Sequence, residues 1–274
     1  MHKPLSVVVT TYNEEKNIAR CLNSVKWADE IVLVDSFSTD RTIEIAETFG
    51  VKIIQRDYPG SSRQVEYGIG QTTNDWIFVI DADEEVSNEL RDEIESILST
   101  NDLEFISYDV PRQVFFLGRW INYSGWYPDY QLRFFRKDSI YPVHAEVHGH
   151  FEPKSSKGKL KGLLYHYTYH TLYDYLKRIN YYTSLHVSNK IKEQKIKKVK
   201  WYQLVIHPIA AFLRLFISNK GYKDGFQGLI LSLFSSVYTM VLYAKIWEYH
   251  KCKEENSELP PITNSDFQNR KDYR

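Results

Sequence analysis

An unbroken apolar run at residues 76–80, Trp-Ile-Phe-Val-Ile, followed by Asp81, Asp83, Glu84 and Glu85, constrains this chain more than any other feature. Five consecutive strand-forming residues with no polar alternation read as a strand buried on both faces. The carboxylates that follow cannot enter an apolar core unpaired, so this strand delivers acid to its own end. Residues two apart on an extended chain share a face, which points Asp81 and Asp83 to the same side, where together they can hold one hard divalent cation. The competing use of these acids is to cap the helix that starts near Ser87, and Glu84 and Glu85 read as the approach to that helix with a secondary part in the site.

The residues before this run repeat its pattern. Residues 5–10, 31–34 and 51–54 read as three further short buried strands. Asn13, with Glu14 and Glu15 behind it, reads as a helix N-cap with an acidic first turn, and Ile18, Leu22 and Val25 recur at helical spacing. Ile43, Ala46 and Phe49 mark a second helix that Gly50 stops, and residues 61–71 read as a third. Strands separated by helices of this length predict a doubly wound, mostly parallel α/β sheet, in which ligands bind outside the carboxyl ends of the strands. Thr10, Thr11, Tyr12 and Asn13 follow strand one, Asp35 and Ser36 follow strand two, and Asp81 and Asp83 follow strand four, so three strands place polar groups at one edge. Strand one lacks a Gly-x-Gly-x-x-Gly or Gly-Lys-Ser/Thr sequence after it, which excludes a dinucleotide fingerprint and a P-loop. A diphosphate ligand at this edge would be repelled by about 4 kcal/mol per close charge pair at ~4 Å and an effective dielectric near ~20. Mg2+ or Mn2+ reverses that sign and acts as a Lewis acid on the departing phosphate.

Beyond the acid cluster, Ser87 or Asn88 caps a helix with Leu90, Ile94 and Leu98 on one face. Residues 105–116, 131–135 and 163–169 read as strands, with an aromatic loop at 120–130 that serves either to stack on sugar faces or as a packed lid. Thr171 and Asp174 open a helix carrying Leu172, Leu176, Ile179 and Tyr182. Six lysines lie between 190 and 200 against the single acid Glu193, and residues 225–244 are 20 residues without a charge, about 30 Å as a helix. Ser232, Ser235, Ser236 and Thr239 form a polar stripe within that span, which favours helices lying in a membrane interface over a crossing. Lys220, Lys223, Lys245 and Lys251 flank it on both sides, so both ends prefer the cytoplasm. The organisation expected is a catalytic domain at 1–188, a basic and apolar helical membrane-associating region at 189–251 and a polar tail at 252–274. Lys plus Arg equal Asp plus Glu at 35 each, so net charge names no partner; the lysines beside apolar helices fit an anionic membrane surface, not nucleic acid. Two distant cysteines, Cys21 and Cys252, fit a reducing compartment, and the strand pattern that follows Met1-His2-Lys3-Pro4 directly, with no apolar leader, predicts a cytoplasmic N-terminal part.

Three stretches, Val7-Val8-Val9-Thr10-Thr11-Tyr12-Asn13-Glu14-Glu15, Val34-Asp35-Ser36-Phe37-Ser38-Thr39-Asp40 and Ile80-Asp81-Ala82-Asp83-Glu84, resemble in order and spacing the family 2 glycosyltransferases of the GT-A fold. Residues 125–135, Val143-His144 and Tyr165-His166-Tyr167 are similar to later motifs of the lipopolysaccharide-core β-1,4-glucosyltransferase branch. The resemblance implies that Thr10, Tyr12 and Glu14 line a nucleotide pocket, that Asp35 contacts uracil or ribose, that Arg63 faces the diphosphate, and that Asp81 and Asp83 are the Asp-x-Asp pair around the metal. It further implies an inverting transfer from a UDP-sugar, UDP-glucose first, to a lipopolysaccharide-core or other lipid-linked glycan at the cytoplasmic face of the inner membrane. Asp129 is the first choice for the general base, because Pro-Asp-Tyr-Gln-Leu resembles the family's Glu-Asp-x-x-Leu, with Pro128 in place of the glutamate. Glu146 is the second, since relatives read Val-His-Glu where this chain has Val143-His144-Ala145-Glu146. His144, His148 and His150 read as structural histidines of an acceptor wall in preference to a zinc site. The rival classes are a sugar-nucleotide nucleotidyltransferase, which would need a Gly-rich loop where Thr10-Thr11-Tyr12-Asn13 stands, and a non-catalytic nucleotide-sugar-binding protein.

Overall fold

The structure, a computed structural model, describes residues 2–143, 150–169 and 171–257. Its strands are β1 (Leu5–Thr11), β2 (Glu30–Asp35), β3 (Lys52–Gln55), β4 (Trp76–Asp81), β5 (Glu84–Val86), β6 (Ser107–Phe116), β7 (Arg119–Trp120), β8 (Asp129–Arg136), β9 (Ile140–Val143), β10 (His150–Pro153), β11 (Gly158–Lys159) and β12 (Leu164–Tyr169). Its α-helices are α1 (Ile18–Val25), α2 (Thr42–Glu47), α3 (Ser61–Gly70), α4 (Asn88–Ser99), α5 (Leu172–Lys192), α6 (Gln203–Leu213) and α7 (Gly225–Glu254). The chain forms two compact units, Met1–Val114 with Pro128–Thr168, and Phe115–Tyr127 with Tyr169–Arg274.

The first unit is built on a sheet in the order β3-β2-β1-β4-β8-β6-β12-β5. β1 pairs in parallel with β2 and β4, and β2 with β3, whereas β8 joins β4 antiparallel and β6 joins β8 antiparallel. The expected doubly wound half is therefore present, continued by an antiparallel half. Both faces of the parallel half are covered, which is why its strands read as continuous apolar runs. Val7, Val9, Leu33, Phe78 and Ile80 pack one way, against Ile18, Cys21, Leu22 and Val25 of α1 and Leu90, Ile94 and Leu98 of α4. Val8, Val32, Val34, Ile77 and Val79 pack the other way, against Val65 of α3 and Phe135 of β8. Helix α3 lies so close that a Cβ on Gly68 would stand 2.5 Å from a Val8 methyl, so only glycine fits there.

Two local readings change. Asn13 does not cap α1: it adopts φ 53°, and its amide oxygen accepts the Thr39 N–H at 2.8 Å. The Glu15 N–H donates to Asp40 at 3.1 Å, so the turn after β1 is laced to the turn after β2 and α1 starts later, at Ile18. Residues 84–86 are not a helix approach but a strand, β5, paired antiparallel with β12. The Ser87 cap is observed, its hydroxyl accepting the Leu90 N–H at 3.1 Å.

In the second unit, Thr171 caps α5 through the Asp174 N–H at 3.1 Å. The buried face of α5 is Tyr175, Ile179 and Thr183, whereas Leu172, Leu176 and Tyr182 are exposed, a rotation of the face read from spacing. Trp126 of the aromatic loop is packed among Phe116, Tyr169 and Tyr175. The buried Asp224 carboxylate holds that loop by accepting from the Asn122 and Tyr123 N–H groups and the Ser124 hydroxyl. Helix α7 turns the Ser232 hydroxyl inward and presents Phe226, Leu233, Met240 and Trp247, each seven residues after the last, to the outside. Helix α6 likewise exposes Val205, Ile206, Ile209 and Leu213. Residues 221–254 form a helical stretch whose most apolar 18-residue window has a mean hydropathy of 1.6, long and apolar enough to cross a membrane by length and composition alone.

Candidate active site

Strand register assembles the site. Thr10 stands beside Asp81 across β1 and β4, Thr11 beside Asp35 across β1 and β2, and Asp35 beside Gln55 across β2 and β3. The carboxyl ends of the parallel strands thus carry the acids side by side. Asp35 is fully buried and its carboxylate accepts the Ser38 N–H and the Gln55 amide, each at 2.9 Å, which fixes the turn at the end of β2. Tyr12 is half-buried just past β1, the Glu14 carboxylate accepts the Asn17 amide at 2.7 Å, and Arg63 is exposed in the first turn of α3, which begins at this same edge.

Asp81 and Asp83 take different hydrogen-bond partners. β4 ends at Asp81, so Asp83 lies in the turn before β5 and the strict alternation expected of an extended chain does not reach it. The Asp83 carboxylate meets His166 Nε2 of β12 at 3.1 Å. Asp81 accepts the Thr10 hydroxyl at 2.7 Å on one oxygen and Arg133 Nη2 at 2.9 Å on the other.

Arg133 opens a chain of ion pairs. Its Nη2 also donates to Glu84 at 3.0 Å, and the same Glu84 oxygen accepts Arg112 Nη1 at 3.2 Å. Arg112 then donates through Nε and Nη2 to one oxygen of Asp129, at 2.9 and 2.6 Å, while Gln131 donates to the other at 2.7 Å. Glu84 has no side-chain exposure, and its second oxygen accepts the Asp81 N–H at 2.9 Å. Burial alone would lower the pKa of both arginines; for Arg133 Glu84 and Asp81 outweigh it, for Arg112 Glu84 and Asp129 do, and both guanidiniums are held above their ordinary range. Burial also pushes the Cys21 thiol well up, with Glu84, Asp83 and Asp81 adding to the shift from behind the same edge.

Asp81 and Asp129 stand far apart in the sequence, with Glu84 beside the first, and the structure links all three through Arg112 and Arg133. The available signal was one arginine inside each of two otherwise strand-forming segments, 105–116 and 131–135, since a cation in a buried strand requires a buried counter-charge. Glu146, His144 and His148 lie outside the described residues, and His150 contacts Glu152 at 3.2 Å.

Among the described residues no three His, Cys, Asp or Glu side chains converge as a cation cage. Asp81, Asp83, Glu84 and Asp129 nonetheless outnumber Arg112 and Arg133, so the edge carries excess negative charge. Two carboxylates fit Mg2+ or Mn2+ provided that phosphate oxygens and water complete the shell, the arrangement these small cations take with phosphorylated ligands.

The mixed sheet, with acids at the carboxyl edge of its parallel half, is of the GT-A type. In fold the chain is similar to the mannosyltransferase PcManGT from Pyrobaculum calidifontis, solved in complex with GDP-Man and Mn2+, with a TM-score of 0.53 and 12% identity, covering 90% of this chain and 87% of that one. The chain belongs to glycosyl transferase family 2, whose model matches residues 6–151. It is 30% identical to an uncharacterized glycosyltransferase of Rickettsia typhi over 90% of this chain and 87% of the relative. It is 27% identical to the lipopolysaccharide core biosynthesis glycosyltransferase LpsC of Rhizobium meliloti, over 91% of this chain and 94% of that protein.

Proposed function

We propose that this glycosyltransferase moves a sugar, with inversion, from a nucleotide diphosphate donor to a lipopolysaccharide-core or other lipid-linked glycan at the cytoplasmic face of the inner membrane, with UDP-glucose as the leading donor. The observation that carries the reading is the register that sets Asp81 beside Thr10 and Asp35 beside Thr11 at the carboxyl edge, together with the buried arginines that tie Asp81 to Asp129. Similarity to LpsC supports the acceptor class.

In this reading Tyr12 and Glu14 receive the nucleoside at turns that the buried Thr10 and Asp35 hold from behind, and Arg63, exposed in the first turn of α3, faces the diphosphate. Asp81 and Asp83 would hold Mg2+ or Mn2+, which supplies charge neutralisation to the leaving diphosphate. Asp129 takes the proton from the acceptor hydroxyl as that oxygen attacks the anomeric carbon, and to do so it must exchange part of its contact with Arg112 for the hydroxyl. Glu146 stands as the alternative base. The apolar stripes of α6 and α7, together with the lysines at 190–200, support docking on an anionic membrane with the helices lying in its interface.

A thermal-shift series with UDP, UDP-glucose and other nucleotide sugars, with and without Mn2+, tests the donor site. The expected result is a shift with UDP and Mn2+ together that exceeds the shift with Mn2+ alone, because two carboxylates bind the ion well only when the diphosphate completes its shell. Equal shifts with and without nucleotide would remove the donor reading.

A further inference from the structure

We infer that Glu84 is a positioning residue for the transfer, one buried carboxylate that sets both the donor acid Asp81 and the base Asp129. The inference rests on the roles proposed above for those two aspartates. Glu84 is 1% exposed, and both of its oxygens are spent on the site. One accepts the Asp81 N–H, which fixes the end of β4 where the donor acid stands. The other is shared by Arg133, which touches Asp81, and Arg112, which touches Asp129.

Two guanidiniums on one carboxylate oxygen repel one another, so their directions depend on that shared negative charge. Arg112 binds the two acids with different parts of its fork, Nη1 on Glu84 and Nε with Nη2 on Asp129. Without the charge on Glu84, Arg112 has only Asp129 to satisfy it and grips the base more tightly. Arg133, whose Nε has no hydrogen-bond partner, has only Asp81 and competes more strongly with a cation there. The single change therefore weakens donor binding and turnover together. A lysine at 112 cannot reproduce the fork, so Arg112→Lys disturbs the base end and leaves the donor end nearly intact.

The test compares wild type, Glu84→Gln and Arg112→Lys in two assays: UDP binding in the presence of Mn2+ by calorimetry, and UDP release from UDP-glucose with rough lipopolysaccharide as acceptor. Glu84→Gln keeps the shape and an acceptor for the Asp81 N–H, removes the charge, and sets an amide NH2 against Arg112 and Arg133, which lose their shared acceptor. It is expected to weaken UDP binding by about tenfold and kcat by at least about tenfold, the loss of one charge-assisted contact at each end. Arg112→Lys is expected to lower kcat with UDP affinity within about twofold of wild type. If Glu84 only braces the fold, Glu84→Gln lowers the melting temperature and the active fraction while the UDP Kd of the folded protein and the kcat per active site stay at wild-type values; that result overturns the inference. A wild-type protein that neither binds UDP nor releases it refutes the proposed function instead, so the two failures are distinct.

Discussion

Replacing Arg133 by methionine tests the buried ion-pair chain most sharply. The arginine side chain is 12% exposed and bridges Asp81 and Glu84 at 2.9 and 3.0 Å. Removing one partner of a buried pair costs about 3–5 kcal/mol, because the remaining charge is left in a poor solvent. Asp81 is 38% exposed and can recover water, and Glu84 keeps Arg112 at 3.2 Å, so the low end of that range applies, about 3 kcal/mol. At ~2–4 °C per kcal/mol for a protein of this size, the melting temperature should fall by roughly 6–12 °C. Methionine fills much of the volume, so the loss reports charge more than packing. The double variant Arg133→Met with Glu84→Met removes the stranded carboxylate as well and should regain most of the lost stability, while Arg112 stays paired to Asp129. Urea unfolding followed by circular dichroism at neutral pH measures both. A single variant within about 0.5 kcal/mol of wild type, or a double variant worse than the single, would refute the claim that the network is a buried, mutually compensating set of charges.

Glu30 gives a pH-dependent test: burial acts to raise its pKa, but hydrogen bonds from the Ser6 hydroxyl and the Thr73 N–H and hydroxyl outweigh it and hold the carboxyl below its usual range. A depressed carboxylate stabilises the fold above its unfolded pKa and loses that contribution as pH falls through the folded value, so the gap in urea midpoint between wild type and Glu30→Gln should be full at neutral pH and shrink as the carboxyl protonates in acid; a constant gap contradicts it. Iodoacetamide should label the half-exposed Cys252 in the native protein and spare Cys21, which is buried and whose thiol burial holds protonated; rapid labelling of Cys21 would show that α1 does not seal against β4. Met240→Glu with Leu233→Glu should sharply reduce co-sedimentation with phosphatidylglycerol vesicles, since each apolar side chain contributes about 1.5–3 kcal/mol when buried; undiminished binding would place the membrane contact elsewhere.

The parallel half of the sheet was readable because both of its faces are buried: residues 76–80 alternate between two cores, so no polar residue interrupts the run. The acids at its edge were readable for the opposite reason, since nothing apolar could follow them. Glu84 was misplaced because a carboxylate in a stretch of acids looks solvated, and its burial depends on Arg112 and Arg133, which arrive from β6 and β8 at large sequence separation. Short strands such as β5 and β12 owe their state to pairing with each other more than to their own composition, which is why Glu84 and Glu85 read as the approach to a helix. The face of α5 was turned because Leu172 and Leu176 look like core residues at helical spacing, yet the helix buries Tyr175 and Thr183 instead. On α7 the polar stripe is split: Ser232 is buried and bonds to the Gly228 carbonyl, whereas Ser235, Ser236 and Thr239 are half-buried beside the exposed Leu233 and Met240.

The central claim is sugar transfer from a nucleotide diphosphate donor by the acidic edge of this sheet. The most direct measurement is UDP release from UDP-glucose by the full chain in the presence of Mn2+ and rough lipopolysaccharide, comparing wild type with Asp83→Ala and Asp129→Asn. The account predicts release by wild type that depends on acceptor and stops with excess chelator, loss of release in both variants, and near-normal UDP binding by Asp129→Asn. Full activity in chelator or in Asp83→Ala would contradict the role of the acid pair, and an active Asp129→Asn would pass the base role to Glu146 or another group.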